Sequence, residues 1–428
     1  MLAVILSFVI LLSFLALSVP VASSIAGVAI IIGTFFSDYP VFTSIGELTW
    51  STSTEYILLS IPFFVLLGEI LLHSGMARKI YFALNVWLSW LPGGLMHSNI
   101  AASTFFSSIS GSSVATAATI TTVAMPQGRE YGYKEGLFAA SIAAGGTLGI
   151  LIPPSLNLII YGFLTNTSIP ELFMAGLIPG ILLAILFMFF IYLNSKYKGS
   201  TTKKIQTYTW KEKFSELKNF LPTLFLFFVI MGSIYTGLAT PTESAALGVV
   251  GALVITYFAK LLTKDVLKKA IEGTMKTTGM IMLIILAANI LNFVLISIGL
   301  IDEIEYFLED MNISKYTLLF IVTIMFIVLG LFIETLSLMV ITIPVVAPIM
   351  LNMGFDGVWF GIYLIILIEM ALITPPVGLN LYVVQSIRKK GSVVEVMKGC
   401  TPFVLIMCLM AFLLVLFPQL ALFLTEFV

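Results

Sequence analysis

Two stretches decide how this chain folds: Gly149–Gly162, GILIPPSLNLIIYG, and Ala371–Val384, ALITPPVGLNLYVV. Each carries a Pro-Pro pair in the middle of an apolar run. A proline removes a helix hydrogen bond and its ring clashes with the preceding turn, so Pro153-Pro154 and Pro375-Pro376 each interrupt a helix. In hydrocarbon, broken backbone is tolerated only where protein buries it or where it lines a water-filled cavity. Broken helices at matching positions of two halves point to the binding site of a secondary transporter. The two breaks lie 222 residues apart, and that separation organises the chain.

Composition agrees with a membrane environment. The 428 residues are 59% hydrophobic and 10% charged, far from the roughly 25% charge of soluble domains. The length accommodates ten or more spans of about 20 residues. The apolar N-terminal run has no basic flank or cleavage site and reads as a permanent span. No phosphate-cradling loop, nucleophile elbow or paired metal-ligand motif occurs, which argues against ATP hydrolysis within the chain and against an enzyme. No cofactor, no metal other than a coupling ion and no nucleic-acid partner is expected. Cys400 and Cys408 share one apolar helix and read as small buried residues. His73 and His97 read as structural.

Apolar runs near 2–18, 20–36, 55–73, 135–165 and 171–193 read as spans of a first half, and 220–239, 242–260, 277–298, 358–385 and 401–425 as those of a second. The stretches 95–125 and 315–350 are long and interrupted by SSISGSSVATAAT and GLFIETLSLMVITIP, so both read as re-entrant hairpins. A lysine-rich linker, 194–219, joins the halves. With the N-terminus outside, all of the 21 basic residues except Lys315 fall inside, as the positive-inside rule requires. The expected architecture is an all-α polytopic membrane protein with both termini outside. It has two repeats, 1–193 and 220–428, each with five crossings, a hairpin (95–125 and 315–350) and a broken helix (135–165 and 358–385). Five is odd, so the repeats are inverted. A shift of 222 pairs Pro126 with Pro348, Gly132 with Gly354 and the two Pro-Pro pairs, and sets Ser112 opposite Glu334.

Helix ends exposed at membrane depth are natural ion sites. Half-helix N-termini suit a carboxylate, while unwound carbonyls and hydroxyls suit sodium. The first candidate site comprises Ser107, Ser110, Gly111, Ser112, Gly146, Gly149 and Pro153. Its inverted partner comprises Gly330, Glu334, Thr335, Thr374, Pro375 and Gly378, with Ser337 alongside. Asn157 and Asn380, just beyond the breaks, serve an ion, a substrate or freed backbone; sequence does not rank these. Ionisable groups at membrane depth are functional candidates because isolated charge there costs at least about 2.5 kcal/mol. Glu334 leads, followed by Glu369. Glu69 reads as a structural partner of Arg78 and Lys79, and Glu243 as part of the capping box Thr240-Pro241-Thr242-Glu243. No arginine lies in an expected span, leaving carboxylate recognition to helix dipoles and hydroxyls.

At SGSSVATAAT, IPPSLNLIIYG, PTESAALG and TPPVGLNLYV the chain resembles the large membrane subunit of tripartite ATP-independent periplasmic (TRAP) transporters, within a wider ion-transporter superfamily. The resemblance runs along essentially the whole chain. It implies a bacterial inner-membrane, sodium-coupled importer of organic acids such as C4-dicarboxylates or sialic acid. It further implies a small four-helix membrane subunit, here expected as a separate polypeptide, and a periplasmic substrate-binding protein. An elevator motion is implied too, with hairpins and broken helices sliding against a scaffold that includes amphipathic arms near 76–92 and 300–312. By position, Ser107–Ser113 with Gly146–Pro154 would hold one sodium and Gly330–Thr335 with Thr374–Gly378 another. Substrate would lie between the tips, near Ser112, Ser113, Asn157, Ser337 and Asn380. A self-sufficient anion transporter of the same superfamily, and a channel or scaffold, stand as alternatives.

Overall fold

The computed structural model describes residues 2–37, 39–199 and 208–427; of the lysine-rich linker, 200–207 lie outside this set. Among the described residues all regular structure is helical. The first half contains α1 (Leu2–Ala16), α2 (Val21–Phe36), α3 (Val41–Ser53), α4 (Ser60–His73), α5 (Met76–Leu88), α6 (Leu95–Ser110), α7 (Ser113–Glu130), α8 (Glu135–Leu148), α9 (Leu156–Thr165) and α10 (Ile169–Lys198). The second contains α11 (Trp210–Tyr235), α12 (Pro241–Phe258), α13 (Lys264–Ser297), α14 (Leu300–Asp310), α15 (Lys315–Gly330), α16 (Thr335–Asn352), α17 (Gly357–Ala371), α18 (Leu379–Arg388), α19 (Val393–Leu416) and the short α20 (Gln419–Leu422). Among the described residues, seven helices are long and apolar enough to cross a membrane alone. The Pro-Pro breaks divide two further apolar stretches into the shorter pieces α8/α9 and α17/α18, and both Pro-Pro bonds are cis.

Local chemistry explains the boundaries. Gly111, at φ +64°, ends α6 in a left-handed conformation, and its N–H closes onto the Ser107 carbonyl. Ser112 then caps α7 by accepting from the Ala115 N–H at 3.3 Å. In the second hairpin Glu334 caps α16 by accepting from the Ser337 N–H at 3.2 Å. Ser112 and Glu334, paired by the 222-residue shift, therefore do the same backbone work. After the first break Ser155 caps α9; after the second, left-handed Gly378 starts α18. Glu243 caps α12 together with Thr240, as its motif indicates. Thr209 and Glu212 build an equivalent box, which starts α11 ten residues ahead of the apolar run used to place that span.

Two helix groups result. In one, α2, α3 and α4 pack on the long α13, and α12 packs on α4 and α11. In the other, each hairpin packs on the first half of its own broken helix and on the second half of the opposite one. Thus α6 and α7 meet α8 and α18, while α15 and α16 meet α17 and α9. Glycines permit the closest of these approaches. A Cβ on Gly145 would meet Ser103 at 2.8 Å, one on Gly146 would meet the Ser113 carbonyl at 3.0 Å, and one on Gly149 would overlap Ser107. Helix α3 had no counterpart in the span assignment. Its sequence, VFTSIGELTWSTS, is too polar and short to register as a span, and it is held by packing on α13.

Candidate functional site

A cavity of about 200 Å³ separates the hairpin tips from the first helix group. Ser110, Gly111, Ser112 and Ser113 line it from the first hairpin, Glu334 and Thr335 from the second, and Leu156 and Asn157 from the far side of the first break. Glu69 on α4 and Thr277 on α13 face them. Three helix N-termini, those of α7, α9 and α16, consequently converge on one space. Each presents N–H groups without intrahelical partners and a partial positive charge, which together suit an anion. The start of α18 does not reach this space: Gly378 and Asn380 are absent from its wall.

The remaining candidate residues hold the frame. Ser107 donates to the Gly146 carbonyl at 3.1 Å, fastening the hairpin to α8. Ser110 shares a 2.9 Å bond with Thr116 across the tip. Gly149 is a contact glycine under Ser107, and Pro153 is buried. Around the second break, Thr374 donates to the Met370 carbonyl at 2.6 Å, and the Asn380 N–H bridges back to the Leu372 carbonyl at 3.1 Å. Gly330 allows α15 to approach Ala371, where a Cβ would sit at 2.6 Å. Ser337, 2% exposed, points its hydroxyl at the Glu334 carboxylate, 3.2 Å away. Pro375 stands in the break itself. The structure thus gathers Ser110–Ser113, Asn157, Glu334 and Thr335, and leaves Ser107, Gly146, Gly149, Pro153, Gly330, Ser337, Thr374, Pro375, Gly378 and Asn380 off the cavity wall.

Glu369 is wholly buried, and its Oε2 accepts from the Ser113 hydroxyl at 2.5 Å. This bond ties the second broken helix to the first hairpin tip across 256 residues of chain. Sequence singled out Glu369 only as an intramembrane acid; its partner is a tertiary fact. Three buried atoms near the breaks have no protein partner: Glu369 Oε1, Asn157 Nδ2 and Asn380 Oδ1. Asn157 is on the cavity wall and 2% exposed, so its free donor lies where an acceptor would complete it.

Two sequence readings need correction. Glu69 pairs with His73, one turn along α4, at 3.1 Å rather than with Arg78 or Lys79; residues four apart share a helix face, whereas nine or ten residues carry the side chain past the end of α4. Cys408 is exposed, unlike the buried Cys400, because it falls on a different face of α19. A further cluster escaped sequence reasoning. Arg388, at the end of α18, contacts Glu135 at 2.9 Å and Glu395 at 2.6 Å. Arg129 contacts Glu135 at 3.1 Å and donates to the Arg388 carbonyl at 2.6 Å. It pins the ends of α7, α8, α18 and α19 together.

A polytopic helical protein with two interrupted hairpins converging on a cavity lined by apolar side chains together with hydroxyls, an amide and two carboxyls has the fold of a membrane transporter. Solved structures agree at the level of fold. The Alcanivorax borkumensis YdaH transporter superposes with a TM-score of 0.60 at 12% identity, covering 88% of both chains. Neisseria gonorrhoeae MtrF, described as representing a class of antimetabolite efflux pumps, superposes at 0.58 with 14% identity over 90% of this chain and 83% of its own. The model of the tripartite ATP-independent periplasmic transporter DctM component matches residues 8–420, and the chain belongs to that family. It is 32% identical to the C4-dicarboxylate TRAP transporter large permease protein DctM of Vibrio cholerae, over 97% of this chain and 96% of that one. It is 31% identical to the sialic acid TRAP transporter large permease protein SiaM of the same organism, over 87% of each. The chain is therefore a multi-pass TRAP permease component and not an enzyme.

Proposed function

We propose that this chain is the transport subunit of a sodium-coupled, binding-protein-dependent importer of small organic acids in the bacterial inner membrane. The observation that carries the reading is the convergence of three helix N-termini on the cavity between the hairpin tips. They offer carboxylate recognition without an arginine: none of the described residues lining the cavity is Lys, Arg or His, while Glu69 and Glu334 both do line it. An organic anion entering beside two carboxylates needs cations to offset the repulsion, which is a physical reason for coupling to sodium. The hydroxyls and carbonyls of Ser107–Ser112 with Gly146–Pro153, and of Gly330–Thr335 with Thr374–Gly378, are the proposed ion ligands. Ser112, Ser113, Asn157, Ser337 and Asn380 are proposed to surround the substrate.

The halves 1–193 and 220–428 are read as inverted repeats with both termini periplasmic, on the strength of the charge distribution and the recurring hairpin–break order. Packing in two helix groups supports an elevator, with α6–α9 and α15–α18 moving as a block past α2–α4 and α11–α13. Import of C4-dicarboxylates or sialic acid is drawn from the named relatives, as are a separate four-helix membrane subunit and a periplasmic binding protein. Uptake of labelled C4-dicarboxylate and sialic acid into proteoliposomes holding this chain, its small subunit and its binding protein tests the reading. Uptake is expected to collapse when choline replaces sodium and when the binding protein is left out. Uptake unchanged by choline overturns sodium coupling, and uptake by this chain alone overturns the three-part assembly.

A further inference from the structure

The 222-residue shift pairs Ser112 with Glu334 and one break with the other, yet the paired positions are chemically unlike. On the first-half side α7 is capped by the neutral hydroxyl of Ser112 at 3.3 Å, and α9 by that of Ser155 at 3.4 Å. The N–H groups of Leu156 and Asn157 open α9 and have no intrahelical partner. The Asn157 side chain is on the cavity wall, 2% exposed, and its amide nitrogen has no partner. It is the only side-chain nitrogen among the described residues lining the cavity. A buried N–H donor calls for an acceptor, and this one stands in a helix first turn that itself favours negative charge.

The second-half side lacks both features. The α16 N-terminus is already occupied by the chain's own carboxylate, since Glu334 Oε2 accepts from the Ser337 N–H and hydroxyl, each at 3.2 Å. Asn380, just beyond the second break, is off the cavity wall. Its donors are spent on the protein: the backbone N–H on the Leu372 carbonyl at 3.1 Å, and Nδ2 on the Ala143 carbonyl at 3.5 Å. Glu69 brings a second carboxylate to the wall, with His73 Nε2 3.1 Å from it. The cavity thus has one donor pole, at α9, and carboxylates in place of a second.

We propose that the cavity takes an acid with a single carboxylate and a hydroxylated remainder. The carboxylate docks on Asn157 and the first turn of α9, and the hydroxyls of the substrate donate to Glu334 and Glu69. This deepens the proposed function and rests on its reading of the cavity as a carboxylate site. A dicarboxylate is the poorer ligand, because its second carboxylate meets two acids instead of a second amide. Like charges about 8 Å apart, at an effective dielectric of about 20, account for about tenfold in affinity or more.

The test is calorimetric binding, in sodium, of two matched pairs of acids to the purified complex of this chain with its small membrane subunit. The pairs are 4-hydroxybutyrate with succinate, and gluconate with glucarate; within each, a terminal hydroxymethyl group replaces a carboxylate on the same carbon skeleton. The hydroxy acid of each pair is expected to bind about tenfold tighter. Asn157→Ala is expected to weaken the hydroxy acids about tenfold, and Glu69→Gln to narrow the gap within each pair. Succinate and glucarate binding wild type as tightly as their partners, or tighter, overturns the inference whether or not a variant folds, and leaves carboxylate recognition intact. Hydroxy-acid affinity unchanged in Asn157→Ala, or a gap unchanged in Glu69→Gln, overturns the assigned poles. A wild-type complex that binds none of the four acids overturns the carboxylate reading of the cavity as well.

Discussion

Single residues in this protein are constrained mostly by what they meet across the chain. Ser113 shows this best, because among the described residues its hydroxyl is the hydrogen-bond partner of the Glu369 carboxyl, which has no exposure. Ser113→Ala leaves that carboxyl without its donor, and a loss of about 1–3 kcal/mol is expected from one unsatisfied buried group. Thermal unfolding of the detergent-solubilised protein, followed by tryptophan fluorescence, measures it; an unchanged midpoint refutes the tie between the two halves. Gly149 is a second case. Gly149→Ala forces a Cβ into Ser107 and should cost about 1–3 kcal/mol by overpacking. Gly279→Ala serves as the control, since nothing lies within 4 Å of its added Cβ; there the better helix former should be neutral or slightly stabilising. Gly146 and Gly149 stood out in the sequence as candidate ion ligands, but that reading and their role as a packing face are different claims. Only the neighbouring hairpin, distant by some forty residues, shows the packing one.

Among elements, the helix ends matter more than the helix interiors. The hairpin tips and breaks were visible because glycine, serine and proline act through local backbone geometry. The cluster joining α7, α8, α18 and α19 was invisible because its charges come from both halves. Arg388 has only 3% of its side chain exposed and is balanced by Glu135 and Glu395. Removing both carboxylates with Glu135→Gln and Glu395→Gln leaves a buried guanidinium supported chiefly by neutral acceptors, at an expected cost of about 3–5 kcal/mol. The single Glu395→Gln change, at the more exposed partner, should cost much less. If the double variant melts with the wild type, the cluster does not hold these helix ends together. Helix α3 and the early start of α11 were missed for a related reason. Neither segment is an apolar run: α3 is held by packing on α13, and the polar first turns of α11 are fixed by the Thr209–Glu212 capping box.

At the scale of the molecule, the arrangement of two helix groups around one cavity makes the proposed motion testable. Ser112 at a hairpin tip and Thr277 on α13 face the same space. Cysteines at both positions, in a background with Cys400 and Cys408 replaced, should be joined by a short bifunctional reagent. Reconstituted uptake should then fall to background and return when a cleavable linker is reduced. Full uptake by a fully cross-linked protein would falsify movement of the tips past α13. Ser112→Leu and Gly378→Leu should likewise abolish uptake while the protein inserts and assembles normally. Gly378 is the more demanding case, because at φ +55° a side chain also strains the backbone.

The membrane class, the two breaks, the two hairpins and the family were determined by the sequence itself. The class and the breaks rest on local properties, hydropathy over about 20 residues and the missing N–H of proline, the hairpins on the Gly/Ser-rich interruptions of long apolar runs, and the family on the motifs around them. Tertiary structure alone decided which groups meet. It gave Glu69 to His73 and to the cavity, gave Glu369 to Ser113, and brought the starts of α7, α9 and α16 together while leaving α18 outside. The physical reason is that such pairings are set by how helices pack, and the Pro-Pro motif presents the same local signals at both breaks. Only the packing distinguishes the break whose following helix opens onto the cavity from the one whose following helix is buried against the first hairpin.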